Sequence, residues 1–242
     1  MAKGKVYIGT SGWHYKHWKD NFYPIDIRND EQLMFYAQLF DTVELNNTFY
    51  RMPGTKTIKL WREGTPSDFI FAVKGNRYLT HNKKLKDCTQ PLKRLMREVT
   101  FFGEKLGPIL FQLPPKWNVN AERLLEFVKL LPKNQRFAFE FRQPSWYSEE
   151  IYAILRQHNC AFCIYHLMHH LSPLIVTADF VYIRLHGPEG KYAGRYSIVS
   201  LKKWATDITG WMEDGKDVYI YFDNDQLGYA PINANELYEM MR

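Results

Sequence analysis

Along the chain, short runs that alternate between apolar and polar positions, or are solidly apolar, are separated by longer stretches repeating near every 3.6 residues. A period of two sends successive side chains to opposite faces of a strand, and a period near 3.6 gathers one apolar stripe on a helix. The runs KVYIG (5–9), DTVELN (41–46), DFIFAVK (68–74), GPILFQL (107–113), RFAFEFR (136–142), CAFCIYH (160–166), DFVYIRLH (179–186) and DVYIYFD (217–223) read as eight strands.

Helix signals fall between them. Asn29 precedes DEQLMFYAQLF, Pro91 opens PLKRLMREVTFFGEKL, Asn120 opens NAERLLEFVKLL, and Ser148 precedes two glutamates in SEEIYAILRQH. SLKKWATDITGWMEDG ends at Gly215, Asn233 and Glu236 have capping-box spacing in NANELYEMM, and TKTIKLWREG is a further helix in the second connection. Eight strand–helix alternations within 242 residues predict an α/β fold, a single TIM-like (β/α)8 barrel forming one domain over residues 1–242. Only LMHHLSPLIVTA separates the sixth and seventh strands, so the helix there is expected to be short or missing. No GxGxxG follows the first strand, which disfavours an open dinucleotide-binding sheet.

A hydrophobic content of 45% suits a globular chain with a full core. No run of 18 apolar residues occurs, and Gly4 interrupts the N-terminus before any apolar signal segment, so no membrane partner and a cytoplasmic location are expected. Cys88, Cys160 and Cys163 are too few for a disulfide scaffold. A three-residue step along a strand sets the sulfurs of Cys160 and Cys163 on opposite faces, which argues against a shared redox or metal role. The net charge of +6 concentrates in segment 77–97, where Arg77, Lys83, Lys84, Lys86, Lys93, Arg94 and Arg97 face one acid, Asp87, with Glu98 following. Such a stretch is either a solvated surface or a contact for an anionic partner.

In a barrel of this kind the outward strand faces meet helices, and chemistry collects at the C-terminal strand ends. With the apolar positions outward, Glu44 and Asn46, Lys74, Gln112, Glu140 and Arg142, and Tyr182, Arg184 and His186 point inward. Glu140 and Arg142 thus belong to a polar ring near the mouth rather than to an isolated strand. A structural ion-pair network explains some of these charges; their gathering at strand ends favours a functional site. The following loops add Tyr50, His81, Trp146, Tyr192 and, after the last strand, Asn224. Trp18, Trp61 and Phe49 are read as loop packing.

The blocks GTSGWHYKHW, VELNNTFYRMP, FAVKGNRYLTH, LGPILFQLPP, FEFRQPSW, YIRLHG and YFDND resemble, in order and over essentially the whole chain, the signature of the domain-of-unknown-function 72 family, also called YecE-like. The resemblance implies a TIM-barrel-like fold and strengthens the strand-end positions, without supplying a reaction.

Three functions are weighed. The first is an enzyme of hydrolase or lyase type acting on an anionic, phosphate-bearing small molecule or nucleotide. Lys74, Arg142 and Arg184 would hold the anion, Glu140 would be the general base, His186 the acid, and Glu44 a further catalytic carboxylate. The second, a glycosidase, needs two carboxyls about 5 to 10 Å apart; Glu44 and Glu140 lie on the second and fifth strands and are expected to be well separated. The third is a non-catalytic nucleic-acid binder using segment 77–97. No cofactor is required and no metal site is assigned; a divalent metal on His81, His186, Glu44, Glu140 or Asp223 lacks a short ligand spacing. Oligomeric state is left open.

Overall fold

Valine, isoleucine and the aromatics pack well on a pleated surface, and they dominate the strands of the computed structural model, which describes residues 2–242. Eight of these strands run parallel: β1 (Val6–Ser11), β2 (Thr42–Leu45), β3 (Ile70–Lys74), β4 (Leu106–Gln112), β5 (Phe137–Glu140), β6 (Cys160–Leu167), β7 (Phe180–Leu185) and β8 (Asp217–Phe222). Each pairs with its neighbour in sequence, and β1 pairs with β8, so the sheet closes into a barrel. Closure leaves the eight barrel strands without an unpaired edge.

Among the described residues seven α-helices surround it: α1 (Gln32–Tyr36), α2 (Thr55–Glu63), α3 (Thr89–Val99), α4 (Ala121–Val128), α5 (Glu149–Gln157), α6 (Ile198–Glu213) and α7 (Tyr229–Met241). Between β6 and β7 there is no helix. His170 and Leu171 fold back as a two-residue antiparallel strand on β6, and an irregular segment leads into β7. Among the described residues no helix is long and apolar enough to cross a membrane.

The periodicity of β5 shows how the core is divided. Phe137, Phe139 and Phe141 lie outward in the layer between strands and helices, with Phe127 of α4 packed edge-on against Phe139. Burying one such ring contributes roughly 1.5–3 kcal/mol. Ala72, Leu110, Ala138, Cys163, Tyr182 and Tyr221 fill the barrel interior. Cys160 belongs to the outer layer and Cys163 to the inner one, and all three cysteines are free and buried.

Several helix boundaries differ from the sequence reading. Residues 30–40 form only the five-residue α1 with a turn after it, because the chain must bend to enter β2. The run starting at Pro91 leaves α-helical geometry after Val99 and continues as 3-10 turns that are broken by a kink at Gly103, whose φ is +59°. Asn233 is not a cap. Helix α7 begins at Tyr229 with Pro231 in its first turn, where a missing N–H costs nothing, and Asn233 falls inside the helix. Its side chain instead accepts from the Tyr196 N–H at 2.9 Å and donates to the Tyr196 carbonyl at 3.0 Å. Asn120 does cap α4, accepting from the Arg123 N–H at 2.9 Å.

Candidate functional site

Where the strands end, their inward side chains converge. Arg184 of β7 is fully buried and lies at the centre of the ring. Its Nη2 donates to Glu44 Oε1 at 2.7 Å and to Asp223 Oδ2 at 3.1 Å, its Nη1 to Glu140 Oε2 at 2.7 Å, and its Nε to Glu44 Oε1 at 3.1 Å. One guanidinium therefore serves three carboxylates, and its forked donors are spent on them. Glu44 is held further by the Ser11 hydroxyl at 2.6 Å and the Tyr182 hydroxyl at 2.7 Å.

Arg142, just past β5, donates from Nε to Glu140 Oε1 and from Nη2 to His186 Nε2 at 2.7 Å. Its guanidinium lies over the Tyr165 ring, 4.7 Å from the centroid. A guanidinium cannot accept, so Nε2 is the acceptor, and Nδ1–H of His186 donates to Asp223 Oδ2 at 2.8 Å. His186 thereby holds Arg142 in place, and Asp223 holds His186. Glu140 is buried, yet Arg142 and Arg184 hold its carboxyl well below the usual range against the opposing push of burial. Asp223 is held down too, burial being outweighed by His186 and Arg184.

Lys74 completes the ring differently. Its side chain is 9% exposed, and its ammonium lies over the Phe49 ring, 4.7 Å from the centroid. Burial, with a smaller contribution from Arg184, lowers its pKa to about 8. Among the described residues it makes no ion pair.

The expectation that Glu44 and Glu140 stand well apart is overturned: both bind the same guanidinium. Eight strands enclose a bore narrow enough for side chains from opposite walls to meet on the axis. Arg184 occupies the space between the two carboxylates, so their nearness leaves no room there for a sugar ring.

The other sequence candidates scatter. Gln112 lines a depression of about 470 Å³ beside the ring, together with Arg142, Tyr165, His170, Lys191 and Tyr192. Asn46 reaches the ring weakly, its Oδ1 3.4 Å from Arg184 Nη2. His81 bonds Thr80 through Nδ1 at 2.9 Å and touches the ring only through Phe49. Tyr50 is 70% exposed on the outer rim under Arg77. Trp146 is fully buried on the outer face, stacked on Phe141, with its indole N–H donating to the Trp117 carbonyl at 2.7 Å. Asn224 ties down the loop after β7, donating to the Gly194 carbonyl at 2.9 Å. Gly187 starts that loop with φ +114°; a Cβ there would lie 2.2 Å from the Ala193 carbonyl oxygen, so only glycine lets the loop fold back over the mouth. Tyr192 within it also has positive φ, 63°, and its ring stands edge-on to His186.

Sequence reasoning missed Ser11, Tyr165 and Lys191 as members of the site and left Asp223 among possible metal ligands only. Extending the alternation of the first strand by two residues, through Tyr7 and Gly9, reaches Ser11. The same step along β6, Ala161 and Cys163, reaches Tyr165. Lys191 had no signal, since only the fold of the loop after β7 brings it over the mouth.

Comparison with known proteins agrees with this architecture. A DUF72 protein of Thermotoga maritima MSB8 with a solved structure superposes with a TM-score of 0.87 at 31% identity, covering 98% of this chain and 99% of that one. A DUF72 protein of Enterococcus faecalis V583 shares the fold, with a TM-score of 0.78 at 15% identity over 98% of this chain and 95% of its own. The UPF0759 protein YunF of Bacillus subtilis is 25% identical over 98% of this chain and 94% of its own length. UPF0759 protein YecE of Escherichia coli K12 is 26% identical over 60% of this chain and 51% of its own. The family described as "Protein of unknown function DUF72" matches residues 7–242, from the first strand to the C-terminus, and the chain belongs to that family.

Proposed function

We propose that this chain is an enzyme of lyase or hydrolase type that takes a small, phosphate-bearing anion at the C-terminal mouth of its barrel. The observation that carries the reading is the depression of about 470 Å³ whose lining includes Arg142 and Lys191 and no carboxylate. The three ring carboxylates bind Arg184 and Glu140 also pairs with Arg142, so of the two cations lining the opening Lys191 is the one without a carboxylate partner among the described residues. Arg142 spends Nε and Nη2 on the ring, which leaves Nη1 to face a ligand. Arg142, fixed by Glu140 and His186, binds an anion without the cost of ordering itself.

Roles follow from the same geometry. Arg142 and Lys191 hold the anion, with Gln112 and Tyr192 beside it. Glu44, Glu140 and Asp223 act as counter-ions that fix Arg184, Arg142 and His186. A carboxyl held as low as that of Glu140 is a weak base, which moves proton chemistry toward Lys74. The test is a thermal-shift screen of phosphorylated metabolites and nucleotides on the wild type and on Lys191→Ala, an exposed position. A phosphorylated compound that raises Tm in the wild type, with the shift reduced in the variant, supports the reading; no shift by any such compound in the wild type overturns it.

A second reading, non-catalytic nucleic-acid binding, has its own observation. A cleft of about 710 Å³ lies between the loop after β2 and α3, lined in part by Tyr50, Arg51, Tyr78 and Arg94. Tyr50 and Tyr78 are exposed, and Arg77 covers Tyr50, an arrangement that suits stacked bases and phosphates. Binding to a labelled single strand should then weaken steeply with salt. Absence of binding at low salt leaves the basic segment as a solvated surface.

A further inference from the structure

Among the described residues two lysines, Lys74 and Lys105, are buried, and they are treated in opposite ways. Lys105, before β4, donates to the carbonyls of Arg62 and Thr65 and to the Thr65 hydroxyl, so all three ammonium hydrogens have acceptors. Lys74, at the C-terminal end of β3, has only the face of Phe49. The carboxylates of Glu44, Glu140 and Asp223, which would otherwise pair with it, are held on Arg184. A structural lysine would be satisfied as Lys105 is. One that lacks a protein acceptor at a barrel mouth is poised for chemistry, because burial of the side chain away from any paired counter-ion favours the uncharged, nucleophilic amine.

The position adjoins the depression beside the ring without forming part of its lining. Lys74 pairs in register with Leu110 of β4, and Gln112, two residues further on the same inward face, lines the depression holding Arg142 and Lys191. We propose that Lys74 forms an imine with the carbonyl of a small phosphorylated aldehyde or ketone whose phosphate is held by Arg142 and Lys191. The location of the phosphate rests on the function proposed above; the imine rests on Lys74. The Nζ lone pair adds to the carbonyl carbon, and the C=O π pair moves to oxygen, which takes a proton as nitrogen loses one. That oxygen then leaves as water, carrying away the second Nζ hydrogen as the C=N bond forms. No oxidant, reductant or further reactant is consumed. The imine makes the former carbonyl carbon a stronger electron acceptor, which suits lyase chemistry rather than hydrolysis.

With a pKa of about 8, a sizeable share of Lys74 is uncharged at pH 7.5. An ordinary lysine near 10.4 has about 0.1% free amine there, on the order of a hundredfold less.

The experiment is reductive trapping. The whole protein is incubated at pH 7.5 with dihydroxyacetone phosphate and sodium borohydride, and adducts are mapped by peptide mass. Parallel arms use neutral dihydroxyacetone, and the phosphate probe with excess inorganic phosphate. The expected result is a reduced adduct on Lys74 at least about tenfold above that on any exposed lysine, a conservative fraction of the free-amine ratio. It should vanish in Lys74→Met and in Lys74→Arg, which keeps the charge, with folding of each checked by Tm. Adducts spread evenly over surface lysines, or none on Lys74 with either probe, overturn the imine whatever the phosphate screen shows. An adduct on Lys74 that forms equally with the neutral ketone and ignores inorganic phosphate upholds the imine and overturns the phosphate site.

Discussion

The two ends of β5 carry the same residue type to opposite purposes. At its N-terminal end Arg136 lies against the rings of Phe180 and Tyr219 and donates to Asp217 at 2.7 Å and to the Tyr219 hydroxyl at 2.9 Å. Tyr7 stacks on Tyr219, 4.7 Å between centroids, so the bottom of the barrel is closed by aromatics with an arginine fastening them. At the C-terminal end Arg142 also has an aromatic face and a carboxylate, yet it borders an open depression and keeps a terminal nitrogen in reserve. The bottom spends its charge on closure. The top buries three carboxylates around one arginine and leaves Arg142 and Lys74 with capacity to bind something else, as expected if one face of a barrel serves stability and the other chemistry.

The largest test of that contrast removes its centre. Arg184→Met leaves Glu44, Glu140 and Asp223 buried without their shared partner, and should cost about 3–5 kcal/mol in urea unfolding, as removing one side of a buried ion pair does. A cost as small as that of a surface pair would mean that the ring is wetter than its burial implies. Next comes Lys74, whose pKa of about 8 in the folded state lies below that of an ordinary lysine. The unfolded chain then binds the extra proton between about pH 8 and 10.4, so stability rises with pH across that window, by about 3 kcal/mol for this group. Below it the penalty is fully present. Lys74→Met should abolish this rise, read as the difference between the two proteins' stability curves; parallel curves would show an ammonium that is solvated in the folded state.

At acid pH stability again rises with pH, but here the charged groups contribute favourably. Glu140 and Asp223 have lowered folded pKa values, so their contribution is present above the unfolded values near 4 and is lost as pH falls below them. Glu140→Gln should therefore lie furthest below the wild type near neutrality, with the gap closing below about pH 4. A constant gap would remove the carboxylate charge as its cause. The smallest pair of effects separates the two ends directly. Arg136→Gln should cost about 1 kcal/mol, its pair being partly exposed, and leave any phosphate-induced Tm shift intact. Lys191→Ala should change stability by less than about 0.5 kcal/mol and reduce that shift. Exchange of these two outcomes would put the anion site at the wrong end of the barrel.

Residue alternation within each run, together with eight strands each followed by a helical period except at 167–178, was enough to determine a closed barrel and to name Glu44, Lys74, Glu140 and Arg184 as inward at the strand ends. Both are local properties: a period of two assigns a face whatever the partner strand. Distances across the bore, the partners of each charge and the fate of each loop residue depended on closure. The sequence could not show that Glu44 and Glu140 meet on one guanidinium, that Asp223 fixes His186, or that Trp146 packs outside while Lys191 arrives over the mouth. Those relations join residues far apart in the chain. Above all, that Lys74 makes no ion pair among the described residues while Arg184 binds three carboxylates is a distribution of charges that exists only once the barrel has brought them within reach.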